Sequence, residues 1–267
     1  MIRLAVTDLD GCLFDREGHF PPDFDDVFAL MEERGVLFAA ASGRSVQGVT
    51  PSFEQWEKRM AMITDNGAAG YLHGERLWMD VVPKSKWFPV VEAARRYPDV
   101  LCVGCGTDEI WLEHADGLNP EYAKELRRYY PSWKNVDYDR LDGDLIKLAL
   151  FYYGDIENTV YPEILQAIGD TLTAKVTART WIDVFDSQIS KGSGVAMLQK
   201  KLGILPEETI VFGDYLNDLS MADFAARSFT PSNAHPDVKA RFTDTIGSNQ
   251  EGCVTRTIRQ LLQEERQ

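Results

Sequence analysis

The chain has little cysteine, little histidine and an excess of acidic over basic residues, and it lacks any long apolar run. Its four cysteines in 267 residues, Cys12, Cys102, Cys105 and Cys253, are too few and too scattered for a disulfide framework. Lys and Arg number 28 against 42 Asp and Glu, a formal net charge of -14. That field opposes general binding to nucleic acid or to an anionic membrane. No stretch approaches the roughly 18 apolar residues of a membrane span, and Asp8 falls where the apolar core of a signal peptide would run. The expectation is a soluble, cytoplasmic protein with neither nucleic acid nor membrane as partner. The four histidines, His19, His73, His114 and His235, stand apart from one another and read as surface residues before ligands. Internal repeats and low-complexity segments are also missing.

What is present is an alternation of strand and helix at both ends of the chain. Ile2-Arg3-Leu4-Ala5-Val6-Thr7 reads as a short buried strand, closed by Asp8-Leu9-Asp10-Gly11. Phe24, Val27, Phe28 and Met31 fall at helical spacing after Pro21-Pro22, and Gly35 is placed to end that helix. Val36-Leu37-Phe38-Ala39-Ala40 is a second strand. Ala61-Met62-Ile63 is a third, and Asn66-Gly67 behind it signals a hairpin, with Asp65 as a turn residue. From about Pro83 prolines and tryptophans thicken, and strand-like runs appear from Leu145 to Tyr153 and from Trp181 to Phe185. The α/β rhythm then resumes. Val195, Leu198 and Leu202 share a helical face, Thr209-Ile210-Val211-Phe212 is a strand, and Val254, Ile258, Leu261 and Leu262 mark a closing helix. The expected class is α/β: a doubly wound, mainly parallel, Rossmann-like core from 1–82 and 188–267, with an inserted α/β domain over 83–187. The charged tail Glu264-Glu265-Arg266-Gln267 reads as frayed surface.

Four stations carry the chemistry, and each ends a strand or opens a helix, where open α/β sheets gather their ligands. Asp8 and Asp10 set an acidic nucleophile beside an acid/base group. Carboxylates so close repel unless a cation lies between them or one keeps its proton, so the pair asks for a metal ion. Ser42-Gly43-Arg44 offers a hydroxyl and backbone N–H groups with room for an anion. Lys191-Gly192 adds a point positive charge. Gly213-Asp214-Tyr215-Leu216-Asn217-Asp218 brings a further carboxylate pair and an amide.

In this order the stations resemble the four motifs of the haloacid dehalogenase superfamily of phosphohydrolases. The long insertion is similar to the type IIB cap of its Cof-type members, as are Asn66-Gly67-Ala68 and Glu251-Gly252-Cys253-Val254. The resemblance implies a Mg²⁺-dependent phosphatase for small phosphorylated metabolites, sugar phosphates first. By the same resemblance Asp8 takes the phosphoryl group as an aspartyl-phosphate, and Asp10 serves as general acid and then base. Ser42, Gly43, Arg44, Lys191 and Asn217 then bind phosphate. Asp8, the Asp10 carbonyl and Asp214 hold the metal, and Asp218 supports it. A phosphomutase using the same two aspartates, or a non-catalytic phosphometabolite sensor, are the alternatives.

The chain departs from the family pattern at two places. Cys12 stands where threonine is usual, and Tyr215 and Leu216 are bulky where small or acidic residues are usual. Both are expected to tune the site and not to abolish its chemistry. Several residues have competing structural readings: a helix cap for Ser42, Asn217 or Asp218, and a surface ion pair for Arg44. Lys147 is expected as an exposed strand-face lysine, the tryptophans as packing, and Cys102-Val103-Gly104-Cys105 as structural.

Overall fold

The computed structural model describes residues 1–264, in two compact units. One consists of Met1–Trp78 with the chain from Ser190 onward, the other of Met79–Ile189. The last three residues of the tail expected to fray lie outside the described residues.

The first unit opens with β1 (Leu4–Thr7), α1 (Phe24–Glu33), β2 (Leu37–Ala41), α2 (Val46–Phe53), β3 (Ala61–Thr64), β4 (Ala69–Leu72) and β5 (Glu75–Met79). The second contains α3 (Lys84–Ala94), β6 (Leu101–Cys105), β7 (Ile110–Glu113), α4 (Pro120–Leu126), β8 (Lys134–Val136), β9 (Lys147–Phe151), α5 (Tyr161–Ala167), β10 (Leu172–Ala178) and β11 (Trp181–Asp186). The chain returns to the first unit with α6 (Lys191–Leu202), β12 (Thr209–Phe212), β13 (Arg227–Thr230), α7 (Pro236–Arg241), β14 (Asp244–Thr245) and α8 (Cys253–Glu264).

In the first unit the described strands form one sheet in the order β14-β13-β12-β1-β2-β3-β4-β5. Pairing is parallel from β14 to β3 and turns antiparallel between β3 and β4. From β1 the chain winds one way through β2 and β3, and from β12 the other way through β13 and β14. The reversal falls between β1 and β12, where open sheets leave a crevice at the carboxyl ends. There Thr7 is level with both Phe212 and Ala40, so the residues after β1, β2 and β12 emerge side by side. The central strands are apolar because helices cover both faces; Leu4, Val6, Ala39, Ile63 and Val211 pack with Val195 and Leu198 of α6. The loop after β1 rests on an aromatic cluster: Phe14 meets Phe20 edge-on at 4.8 Å and stacks toward Phe53 at 6.2 Å. The hairpin expected at Asn66-Gly67 joins β3 to β4 through a 3₁₀ turn over Asp65–Gly67.

In the second unit the described strands run β10-β11-β9-β6-β7-β8, antiparallel except for β7 with β8. On one face Leu148, Leu150, Ile182 and Val184 pack with Trp87 and Val91 of α3 and Ile164 of α5. On the other, Val103, Ala149, Phe151 and Trp181 pack with Leu126 and Tyr130. A strand alternates its side chains, so the C-x-x-C spacing sends Cys102 into the first cluster and Cys105 into the second. Trp87 and Trp181 are core residues of this unit, as the packing reading expects.

One sequence expectation fails here. Lys147 is not exposed: it is 5% exposed and lies 3.4 Å from Asp183 Oδ2. β9 is flanked by β6 and β11, so this position is an inner-strand site, where an ammonium persists only beside a counter-charge.

Candidate active site

Asp8 follows β1 directly, and its N–H donates to Phe212 O at 2.9 Å, which ties it to β12. Its carboxylate is buried and accepts from Lys191 Nζ. Lys191 is the first residue of α6, a helix opened by a reciprocal cap: Ser193 N–H donates to Ser190 Oγ at 3.0 Å, and Ser190 N–H to Ser193 Oγ at 2.9 Å. Lys191 is 1% exposed, and its Nζ also donates to Asp218 Oδ1 at 2.6 Å. Asp218 is fully buried, and its Oδ2 accepts from the N–H groups of Asp214 and Tyr215 at 2.9 and 3.0 Å. It therefore shapes the turn that presents Asp214, which makes it a capping residue and a partner of Lys191 at once.

Carboxylate oxygens of Asp8, Asp214 and Asp218 lie within 4.8 Å of one another. Three acids against one ammonium leave excess negative charge in a largely buried site. Burial pushes the Asp8 carboxyl well above the usual range, with the Asp218 and Asp214 carboxylates adding to it and Lys191 opposing. Asp214 is pushed up to about 6 by burial first and by Asp218 next. Lys191 moves the other way from a buried lysine's habit. Burial alone would lower its pKa, but Asp218 and Asp8 outweigh burial and raise it.

Among the described residues Asp214 Oδ1 is buried without a hydrogen-bond partner. A buried acceptor left open in an all-oxygen acidic cluster suits a hard divalent cation. The residues present thus fit the metal that the motif asks for.

Gly11 is required at its position. Its φ is +86°, and a Cβ there would overlap Asp214 Oδ2. Cys12 is buried, with Sγ 3.7 Å from Thr7 Oγ1. Burial, then the Asp8 charge, pushes its thiol pKa well up, which keeps the side chain a protonated thiol.

Ser42 follows β2 and is buried, its Oγ accepting from Arg44 N–H at 3.1 Å. The cap position of α2 belongs to Ser45, so Ser42 does not cap that helix. A Cβ on Gly43 would stand 3.2 Å from Asn66 Oδ1. Arg44 makes an ion pair, with Asp10: Nε donates to Oδ2 at 2.9 Å, and Nη2 donates to Oδ1. Asp10 is exposed and outside the three-acid cluster. Asn217 Nδ2 donates to Asn66 Oδ1 at 3.0 Å. Tyr215 is exposed, its ring edge-on to His235 at 5.8 Å.

Three supporting roles go unread in the sequence, where Asn66 stands only as a hairpin residue and in the Asn66-Gly67-Ala68 resemblance. Asn66, buried at φ 56°, links the loop after β2 to Asn217; the signal available was that asparagine tolerates left-handed backbone. Asn233 Nδ2 donates to Gly11 O at 2.8 Å, and His235 N–H donates to Asp214 O at 2.9 Å. Neither contact leaves a local trace in the sequence.

A switch-point cluster of carboxylates around one lysine, on a doubly wound sheet with an inserted α/β unit, defines a phosphohydrolase class. The chain matches the haloacid dehalogenase-like hydrolase family over residues 5–258 and belongs to it. It is a hydrolase of phosphate monoesters, a phosphatase of that family. A 5-amino-6-(5-phospho-D-ribitylamino)uracil phosphatase of Escherichia coli strain K12 is 28% identical over 267 residues, covering 99% of this chain and 97% of that protein. A solved structure from Eubacterium rectale is 26% identical, with a TM-score of 0.88 over 97% of this chain and 99% of that one. A solved subclass IIB sugar phosphatase shares the fold at 21% identity, with a TM-score of 0.80 over 97% of this chain and 98% of its own. No helix among the described residues is long and apolar enough to cross a membrane.

Proposed function

We propose that the protein hydrolyses small phosphate monoesters through an aspartyl-phosphate on Asp8, with Mg²⁺ as cofactor and sugar or sugar-alcohol phosphates as substrates. The observation that carries this reading is the buried cluster of Asp8, Asp214 and Asp218 around Lys191. An Asp8 oxygen attacks phosphorus, and the bond from phosphorus to the leaving oxygen breaks. Asp10 gives that oxygen its proton. Asp10 then takes a proton from water as the water attacks phosphorus, the bond to Asp8 breaks, and inorganic phosphate leaves. Ser42 and the Gly43 N–H orient the phosphoryl oxygens, Lys191 neutralises them, and Asn217 steadies them from the turn after β12. Asp8, Asp214 and the Asp10 carbonyl would hold Mg²⁺, with Asp218 behind them. The ion would supply charge neutralisation and orientation of the phosphoryl group. The unit Met79–Ile189 takes the part of a cap that selects the leaving group. The substrate class rests on the E. coli relative, named for a phosphorylated ribityl compound, and on family resemblance.

The test is phosphate release from a panel of hexose, pentose and ribitol phosphates, with Mg²⁺ or with EDTA, by wild type and Asp8→Asn. Magnesium-dependent release that Asp8→Asn abolishes is the expected result. Isomerisation of a sugar phosphate without net release would favour a mutase. No reaction from folded protein would overturn the proposal.

A further inference from the structure

We infer that Arg44 is a positioning residue that acts through Asp10, and not a ligand of the phosphoryl group. The inference rests on the acid/base role proposed for Asp10. Arg44 grips both carboxylate oxygens, Nε on Oδ2 at 2.9 Å and Nη2 on Oδ1. A planar two-point grip fixes the twist and tilt of a carboxylate, which a single ammonium cannot do. Both partners spring from anchored backbone. Arg44 N–H donates to Ser42 Oγ at 3.1 Å, and its carbonyl accepts from Asp65 N–H at 2.9 Å. The Asp10 loop is closed by Phe14 N–H on Leu9 O at 2.9 Å and by Asn233 Nδ2 on Gly11 O at 2.8 Å.

The Asp10 side chain is 55% exposed, and among the described residues no other side chain bonds its carboxylate. A solvated carboxylate samples several rotamers, whereas proton transfer needs one. Exposed ion pairs add little to stability, so what this pair supplies is orientation. To bind phosphate directly Arg44 would have to let go of Asp10 and leave it unheld. Positive charge for the phosphoryl group is already at hand, on Lys191 against Asp8.

The experiment compares wild type, Arg44→Gln and Arg44→Lys in the full chain with Mg²⁺. It reads kcat, KM and inhibition by inorganic phosphate on the best sugar phosphate, and repeats Arg44→Gln in an Asp10→Asn background. Arg44→Gln is expected to lower kcat about 10²-fold, the cost of a displaced catalytic group, with KM and phosphate inhibition unmoved. Unmoved phosphate inhibition also reports a folded site. Arg44→Lys keeps the charge without the fork and recovers little of the loss. In the Asp10→Asn background Arg44→Gln costs nothing more. A rise in KM and in the phosphate inhibition constant with kcat intact, or the same loss in both backgrounds, overturns the inference. Absence of turnover by wild type would sink the proposed function and this role with it. Turnover by wild type with the opposing pattern removes only the role of Arg44.

Discussion

Replacing Lys191 by methionine keeps most of the side-chain volume and removes the ammonium held between Asp8 and Asp218. Lys191 is 1% exposed and bonded to both Asp8 and Asp218, themselves buried. Deleting one partner of a buried ionic group strands the others, at a cost of about 3–5 kcal/mol. Because the Asp218 and Asp8 charges outweigh burial, the folded pKa of Lys191 stands above the ordinary 10.5. A raised folded pKa means that the contribution is complete at neutral pH and is lost only as pH climbs past about 10.5. A comparison at pH 7 therefore reads the whole effect. The stranded carboxylates can relieve themselves by binding a proton, so the deficit should shrink toward pH 5. Urea unfolding of wild type and Lys191→Met in EDTA measures it. The expected deficit is about 3–5 kcal/mol at pH 7, narrower at pH 5, and partly restored by adding Asp218→Asn. Equal stability at pH 7, or a deficit that widens in acid, would refute the reasoning. Turnover should fall by about 10²–10³, as when one preorganised charge partner is lost.

Other residues give independent readings. Asp214 has its pKa raised from 3.8 to about 6, so the folded protein binds that proton more tightly than the unfolded chain. Its contribution falls as pH rises from about 4 to 6, by about 3 kcal/mol in the absence of divalent cations. Unfolding of wild type minus Asp214→Asn in EDTA isolates it, and a difference that grows more favourable to wild type across that window would contradict the assignment. Gly11→Ala meets both a φ of +86° and Asp214 Oδ2; a loss of about 1–3 kcal/mol should come with weaker Mg²⁺ affinity by calorimetry, and wild-type affinity would count against the clash. In the second unit the Tyr138 hydroxyl accepts from Gly104 N–H at 2.9 Å and donates toward Trp111 O at 2.8 Å. Tyr138→Phe should cost about 1–3 kcal/mol, seen as earlier hydrogen exchange in β6 and β7; unchanged exchange there would refute it.

The stations were legible because each is a local pattern: an apolar run that stops at Asp8, at Ser42 or at Gly213, and a Lys-Gly pair opening a helix. Parallel strands then bring them together by register, Thr7 level with Phe212 and Ala40. What was not legible depends on partners far along the chain. Arg44 meets Asp10 across 34 residues, and Asn217 meets Asn66 across 151; composition and spacing carry no trace of either. Lys147 reads as an outward-facing lysine because nothing local shows its counter-charge, Asp183, which lies 36 residues on. Asp218 reads as a cap or a metal support; its bonds to the Asp214 and Tyr215 N–H groups are those of a cap, and its contact with Lys191 lies beyond any local pattern.

The most direct measurement is the fate of the phosphoryl group on Asp10→Asn protein mixed with Mg²⁺ and the best substrate, quenched in acid and analysed by intact mass and peptide mapping. The account predicts a stoichiometric gain of one phosphoryl group on Asp8, formed once and hydrolysed slowly. Label on another residue, or phosphate release at the wild-type rate with no label on Asp8, would contradict it.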